Sequence, residues 1–353
     1  MPDSSASAPP ASANPTPTIS SSQKNRQTTQ DPKRLSNGTY KRTKMSYEGQ
    51  MLEQLKMPTR QQVEEALLRA LLIHGGVIKE FSAGQEIVDE MANEFELNDQ
   101  QRSAFLETVY RKENRVKKSL LWHRLLFRAA DSLAKDKLVS RPTQTFQLTK
   151  KNEWMLTEKG YDEALKISNI PNSKKESLPT KSYEVQKIVK KLVEASRPEH
   201  YDPFDKRKKR NKTIKESALR TRGFRQAIIE AYNYKCAICG LKINSPDFLS
   251  WEIEAAHIVP HRYLGRDDIW NGLALCRLHH WAFDVGWFTM RNDYSINVSS
   301  KVRLLQPDYG KIYDHEVLNA LSQNRKRLIL PADRQLFPHQ NALEWHRKNV
   351  FHQ

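Results

Sequence analysis

The chain has 353 residues, of which 38% are hydrophobic and 28% are charged, a composition typical of globular domains joined by polar segments. It contains no run of about 18 apolar residues, and its N-terminus lacks the apolar core of a signal peptide. We therefore expect a cytoplasmic protein (nucleoid-associated in a bacterium) that neither crosses a membrane nor is secreted. The formal net charge of +17 favours a polyanionic partner, nucleic acid before an acidic membrane surface.

The first 50 residues are predicted to be a disordered tail. Ser, Pro, Ala, Asn and Thr dominate its sequence, and aliphatic residues do not recur at any regular spacing. Such a segment cannot bury a hydrophobic core. At roughly 100–200 residues per domain, the rest of the chain predicts two folded domains.

Residues 51–168 begin with helical periodicity. Thr59 and Gln62 have the spacing of a capping box. Apolar residues then recur every three or four positions up to a pair of glycines at 75–76, which ends the first helix. Further helices are predicted from about Ser82, after Asn98 and over 116–133.

The same segment continues with β-like runs at 138–140 and 145–148, and a last helix opens near Glu158. Helices followed by a basic β-hairpin predict a winged-helix fold. With its Leu-Thr-Glu-Lys-Gly stretch at 156–160, the segment resembles the winged-helix domain at the N-terminus of Mrr-type restriction enzymes. The resemblance implies DNA recognition by a helix in the major groove, and a helical protein-interaction module is the alternative. The candidate DNA contacts are Lys117, Lys118, Arg124 and Arg128.

Residues 169–215 are predicted to be a basic linker. Prolines punctuate this segment, and five consecutive basic residues occupy 206–210. A block of this kind adds phosphate affinity that depends on salt and carries no sequence information.

Cys236, Cys239, Cys276 and His279 have the spacing of a zinc site. The chain has only these three cysteines, an odd number that does not suggest a disulfide framework. Two pairs of soft or borderline ligands, Cys-x2-Cys and Cys-x2-His, suit tetrahedral Zn²⁺. We predict a closed structural zinc that fastens the cysteine knuckle to a helix. The alternative is three buried cysteines that act as small hydrophobic residues.

Several short motifs follow one another over residues 222–298. They are Cys-x2-Cys at 236–239, Ala-His-Ile-x-Pro at 256–260, Asn-Gly-Leu at 271–273, Leu-Cys-x2-His-His at 275–280 and Phe-Asp at 283–284. With these motifs the segment resembles an HNH endonuclease domain, which has a ββα-metal fold. The resemblance implies that His257 is the general base, that Asn271 is the central asparagine and that His280 is the last histidine of the motif.

Phosphodiester hydrolysis is consistent with these roles. A neutral imidazole can take the proton of the attacking water, and one divalent ion can neutralise the developing charge. The side chain of Asn271 can hold the strand and His257 in orientation. We assign no role to His261 and Asp268 in the connecting loop.

The ligands of the catalytic ion are predicted from helical spacing. Many HNH domains carry Asp or His directly before the base, whereas this chain has Ala256, which cannot bind metal. His280 and Asp284 are four residues apart, so on a helix they share a face and can hold an ion such as Mg²⁺ together. Glu254 shares a strand face with position 256 and is a third candidate. Its alternative role is that of a surface carboxylate.

We therefore predict an α+β protein, an N-terminal winged helix followed by a zinc-stapled ββα-metal nuclease domain at 216–353. The predicted function is restriction-type cleavage of double-stranded DNA with one divalent metal and a histidine base, and dependence on DNA methylation is left open. A homodimer would supply one active site for each DNA strand. Ala256 motivates an alternative, a non-cleaving zinc-stapled DNA-binding regulator, and RNA as the substrate is a third possibility.

Overall fold

The structure is a computed structural model that describes residues 46–81, 85–110, 115–205, 214–247, 249–301 and 326–353. Residues Ser46–Gln353 form one compact unit of helices and strands, which confirms the α+β class. This unit contains two hydrophobic cores. Among the described residues, no helix is long and apolar enough to cross a membrane.

The first core is built from buried residues between Met57 and Leu178. The predicted cap opens the helix Arg60–Ile73: Gln62 N–H donates to Thr59 Oγ1, and Gln62 Oε1 accepts from Thr59 N–H at 2.8 Å. The elements of this half are α1 Tyr47–Gln54, α2 Arg60–Ile73, β1 Val77–Lys79, α3 Glu86–Glu94, α4 Asp99–Ser103, β2 Phe105–Tyr110, β3 Arg115–Leu120, α5 Leu121–Lys135, β4 Val139–Ser140, α6 Pro142–Thr149, β5 Glu153–Leu156 and α7 Glu158–Ile167.

The sheets of this half differ from the prediction in two places. Strands β1, β5 and β4 form an antiparallel sheet in that order, and β2 pairs with β3. The helix predicted over 116–133 therefore begins only at Leu121, because the residues before it pair with β2. The strand predicted at 145–148 is wrong. It is helix α6, where Pro142 at the first turn and a capping box between Arg141 and Gln144 outweigh local β-propensity.

The boundaries predicted for the tail and the linker also need correction. Helix α1 begins at Tyr47, inside the predicted tail, and residues 1–45 lie outside the described part of the chain. The predicted linker contains helix α8, Tyr183–Val193, whose buried face joins the second core. Apolar residues at helical spacing explain this, and α8 packs along α9, Ile214–Ala231. The basic block at 206–210 lies outside the described residues.

The second core surrounds a ββα arrangement. Strand β6, Ile253–His257, pairs antiparallel with β7, Gly272–Cys276. Helix α10, Arg277–Asp284, follows β7 directly and contacts both strands. Helix α9 packs against both strands, so the two strands lie between helices. The remaining elements are β8 Phe288–Met290, β9 Ile296–Val298 and α11 Gln340–Asn349.

A buried ion pair joins the two halves. Arg222 Nη1 on α9 donates to both carboxylate oxygens of Glu158 on α7, at 2.8 and 2.7 Å. The guanidinium also lies 4.9 Å from the centre of the Tyr161 ring. Burial alone would raise the pKa of Glu158, but Arg222, Ser182 and Lys175 outweigh it and hold that pKa below its ordinary value. Glu158 is therefore ionised at neutral pH and depends on Arg222.

Replacing Arg222 tests this junction. Arg222→Ala leaves a carboxylate without its main partner in a poorly hydrated place, so we expect a loss of about 3 kcal/mol in the free energy of unfolding. The difference from wild type should narrow as the pH falls through the lowered pKa of Glu158, because the protonated acid no longer needs the cation.

Urea unfolding at several pH values measures both effects. Lys166→Ala is the control, because Lys166 is exposed and its pair with Glu163 is worth at most about 1 kcal/mol. A loss for Arg222→Ala no larger than that of the control would contradict the proposed weight of the junction.

Candidate functional site

A cluster of three cysteines and one histidine fastens helix α10 to a knuckle that follows α9. Cys236 and Cys239 lie on the knuckle. Gly240 closes the knuckle with a φ of +76° and donates its N–H to the Cys236 carbonyl. Cys276 ends β7 and is the N-cap residue of α10, so His279 follows one turn later on the same face. The structure thus brings the four predicted residues together from two separate segments.

The distances in this cluster suit a tetrahedral metal ion. His279 Nδ1 lies 3.0 Å from Cys276 Sγ and 3.7 Å from Cys236 Sγ, and the four ligand atoms lie within 4.8 Å of one another. Zinc bonds of about 2.3 Å to sulfur and about 2.1 Å to nitrogen place such atoms about 3.6 Å apart. Burial opposes the charged ring, yet Cys236 and Cys239 outweigh it and raise the pKa of His279 to about 9. The four donor atoms are close enough together to bind one metal ion.

His257 ends strand β6 in a confined position. In the strand register it stands opposite Gly272 of β7. The ring of Phe224, from α9, stacks on the imidazole with 4.0 Å between centroids and 19° between planes. A Cβ at position 272 would lie 3.0 Å from Phe224 Cζ and 2.3 Å from Ile228 Cδ1. The glycine therefore makes room for the aromatic wall against which the imidazole rests.

Asn271 holds the loop between β6 and β7. Its side chain is fully buried. Asn271 Oδ1 accepts from Val259 N–H at 2.8 Å, and Nδ2 donates to the carbonyls of Val259 at 3.0 Å and Arg266 at 2.9 Å. All three bonds go to backbone atoms, so Asn271 is a positioning residue for this loop.

The loop brings two further side chains to His257. The Nε2 atoms of His257 and His261 lie 3.0 and 2.9 Å from Asp267 Oδ1. Asp267 is 4% exposed, and Arg220 Nε lies 3.5 Å from its other oxygen. These three side chains form a second group that can hold a metal ion. His261, to which the sequence assigned no role, thus contacts the site, and Asp267 was missed altogether.

The acidic neighbour that the sequence did single out, Asp268, points elsewhere. Its Oδ1 accepts from the Tyr201 hydroxyl at 2.5 Å. Two adjacent aspartates in a loop give no sequence signal for which one faces the histidine, so only the fold distinguishes them.

Glu254, His280 and Asp284 lie together but do not converge on one point. Glu254 Oε2 is 2.8 Å from His280 Nδ1, whereas Asp284 Oδ2 is 3.6 Å from His280 Nε2. The two ring nitrogens point away from each other, so one ion cannot take all three ligands in this arrangement. His280 can share an ion with Asp284 through Nε2 or with Glu254 through Nδ1, so the three-residue ligand set stays a prediction.

The contact with Glu254 also sets the charge of the pair. The hydrogen bond from His280 lowers the pKa of Glu254. Burial opposes protonation of the ring, but Glu254 outweighs it and raises the pKa of His280. Burial also disfavours the charged form of Asp284 and so raises its pKa. Without a metal, His280 is therefore held closer to the charged state than a free imidazole.

The predicted DNA contacts in the first half are engaged with carboxylates. Lys118 Nζ on β3 lies 3.0 Å from Glu107. On α5, Arg124 and Arg128 lie 2.8 and 2.7 Å from the same oxygen of Glu48, which is 6% exposed. Lys117 is also on β3, and its side chain is outside the described part of the structure. Each described member of the predicted set therefore has an acidic partner.

Removing the Asn271 amide tests its role in the loop. Asn271→Ala leaves one buried N–H and two carbonyls without that partner, so we expect a loss of about 3 kcal/mol in the free energy of unfolding. Chemical denaturation measures it, with the exposed Asn349→Ala as the control, for which the change should be within about 0.5 kcal/mol. Equal stabilities of the two variants would show that the loop does not depend on Asn271.

Comparisons with known proteins agree with this geometry. Residues 236–291 match the family described as HNH endonuclease, and none of the curated proteins compared with the chain matches it significantly. One similar solved structure is titled "Modification dependent TagI restriction endonuclease". It shares 18% identity and a TM-score of 0.27, over 40% of this chain and 44% of that one. The chain thus spans less than half of that structure's length, and a likeness this weak says nothing about substrate.

The family match covers the cysteine knuckle, both strands of the ββα arrangement and helix α10. It includes His257 and His280, which the fold places on β6 and α10. Residues 236–291 therefore form a domain that matches the HNH endonuclease family.

Proposed function

We propose that this protein is a nuclease that cleaves double-stranded DNA in the manner of a restriction endonuclease, with His257 as the general base. The family match at 236–291, over a site in which His257 is stacked and hydrogen-bonded, carries the proposal. The net charge of +17 supports a polyanionic substrate.

His257 would take the proton of a water that attacks the phosphorus in line with the leaving oxygen. A divalent ion, Mg²⁺ or one of similar preference, would neutralise the charge that develops on the phosphate and the leaving oxygen. His280 Nε2 and Asp284 would hold it, and Glu254 would orient the ring through Nδ1. Ala256 offers no donor atom, so this ligand set relies more heavily on helix α10.

For the cysteine cluster we propose a structural zinc. Three thiolates and one imidazole form a closed set with no position left for a substrate, which is typical of structural rather than catalytic zinc. In this position the ion would join the knuckle to α10, and it would thereby fix the helix that carries His280.

Metal analysis tests the zinc proposal. Purified protein should contain about one tightly held zinc per chain. Cys276→Ser should lose it and unfold at lower temperature, because metal binding contributes to folding. His261→Ala is the control and should retain the zinc, since His261 lies outside the cluster. A full zinc content in Cys276→Ser would contradict the assignment.

We further propose that residues 51–168 recognise DNA as a winged helix. The succession of α2, β1, α3, α4, α5, β4 and β5, with β2 and β3 inserted before α5 and α6 inserted between β4 and β5, supports this proposal. The three-stranded sheet β1-β5-β4 supports it as well. The acidic partners of Arg124, Arg128 and Lys118 imply that DNA would have to displace Glu48 and Glu107 to reach these cations. A homodimer is the simplest way to cut both strands with one site per chain.

Digestion of DNA tests the proposed activity and its dependence on modification. Genomic DNA from methylating and non-methylating hosts is incubated with the protein and Mg²⁺, beside His257→Ala. We expect wild type to cut at least one of these DNAs and the variant to lose at least about 100-fold in rate, because the base is gone. Cleavage of methylated DNA alone would indicate a modification-dependent enzyme. Cleavage by His257→Ala at the wild-type rate would contradict the role of His257.

The second candidate is a DNA-binding regulator that does not cut, which Ala256 favours by removing a ligand position from β6. Binding without cleavage across Mg²⁺, Mn²⁺ and Ni²⁺, on modified and unmodified DNA, would support it. Parallel digestion of RNA distinguishes an RNA substrate from a DNA substrate.

A further inference from the structure

We propose that Asp267 is a positioning residue for the general base, holding His257 in one tautomer and one orientation. The inference rests on the proposed role of His257. It adds a residue for which neither the sequence nor the family match gave a role, and it gives His261 a place in the same arrangement.

The hydrogen bond between His257 and Asp267 identifies the tautomer of His257. Asp267 Oδ1 lies 3.0 Å from Nε2 of His257 and 2.9 Å from Nε2 of His261. An ionised carboxylate only accepts hydrogen bonds, so the hydrogen bond from His257 requires the proton of that ring on Nε2. The lone pair of neutral His257 then lies on Nδ1, which is the atom that can take a proton from water.

The imidazole of His257 is held on several sides. Phe224 covers one face at 4.0 Å, and the His261 ring approaches at 4.3 Å with 63° between planes. The side chain of His257 is 14% exposed, whereas that of His261 is 44% exposed. Stacking alone permits the ring to flip over about the Cβ–Cγ bond, which exchanges its nitrogen and carbon positions, and the hydrogen bond to Asp267 selects one of the two orientations.

Contacts with neighbouring segments hold Asp267 in place. Arg220 Nε, on α9, lies 3.5 Å from Asp267 Oδ2 and balances its charge. The preceding residue, Arg266, accepts a hydrogen bond from Asn271 through its carbonyl and donates its N–H to Pro203. Because these contacts come from α9, from the turn before β7 and from the segment before α9, the carboxylate cannot move independently of the core.

The same three side chains can also hold a metal ion, and the two arrangements differ in a testable way. Two ligands at right angles, with bonds of about 2.1 Å, stand about 3 Å apart, so the distances alone fit both. Arg220 favours the hydrogen-bonded arrangement, because a guanidinium beside Asp267 repels a further cation.

Asp267→Asn tests the proposal, because a neutral amide can donate as well as accept and no longer requires the proton of His257 on Nε2. We expect the single-turnover cleavage rate to fall about 100-fold, while the Kd for DNA changes less than about 3-fold. ¹⁵N NMR of the imidazole nitrogens should show His257 as the Nε2–H tautomer in wild type and a mixture in the variant.

Asp268→Asn is the matched control, because it changes the adjacent buried carboxylate, which bonds to Tyr201 and not to the histidines. It should retain the wild-type tautomer and rate. A wild-type tautomer and rate in Asp267→Asn would overturn the proposal. So would the loss of Mn²⁺ binding in Asp267→Asn, measured by calorimetry and accompanied by the same loss in His261→Ala, which would make the group a metal site.

The test separates this inference from the proposed function. If His257→Ala is inactive and Asp267→Asn is not, only the positioning role fails. If His257→Ala cuts normally, the proposed function fails. The NMR result decides the tautomer even if the wild-type protein cuts none of the DNAs supplied.

Discussion

The buried amide of Asn271 is the contact on which the site depends. It spans the loop between β6 and β7 by bonding to backbone at both ends, at Val259 and at Arg266. Without it the strands could still pair, but the loop would lose a buried side chain that ties its two ends together. Since His257 ends one strand and Asp267 follows Arg266 directly, one side chain sets where both lie. A residue that touches no reacting group thereby governs the geometry of those that do.

The polar groups around the two strands divide into sets with different tasks. The cysteine cluster faces inward and joins knuckle to helix, whereas the Glu254–His280 pair and the Asp267 group carry the ionisable side chains of the proposed chemistry. Helix α10 contributes to two of these sets through neighbouring residues, His279 and His280, which point to different sides of the helix. A change that loosens the inward set would also displace the outward one.

Much of this arrangement was predictable from local patterns. The cysteine spacing and the HNH motifs place ligands by short-range geometry, and the capping boxes at Thr59 and Asn98 are local as well. Asp267 was not predictable, because its importance arises from a loop path that Asn271 imposes. The contacts of His280 were not predictable in detail for a related reason: helical spacing shows which residues share a face but not which ring nitrogen each one meets.

Longer-range packing explains the remaining differences. The segment at 169–215 contains enough prolines and lysines to suggest a linker, yet Val185 and Val189 of α8 are buried in the second core. A sequence window around α8 has no information about that partner surface. Likewise, the strand before α5 exists because β2 lies beside it, and its own residues are compatible with a helix.

The wall behind His257 comes from outside the segment that defines the family. The match begins at residue 236, whereas Phe224 and Arg220 belong to α9, which also carries Arg222 into the junction with Glu158. The matched segment therefore does not contain all the residues that shape the site in this protein. Grafted onto another scaffold, or excised at its first cysteine, it would keep its ligands and lose the surfaces that aim them. Evolutionary shuffling of such a centre would have to carry helix α9 with it.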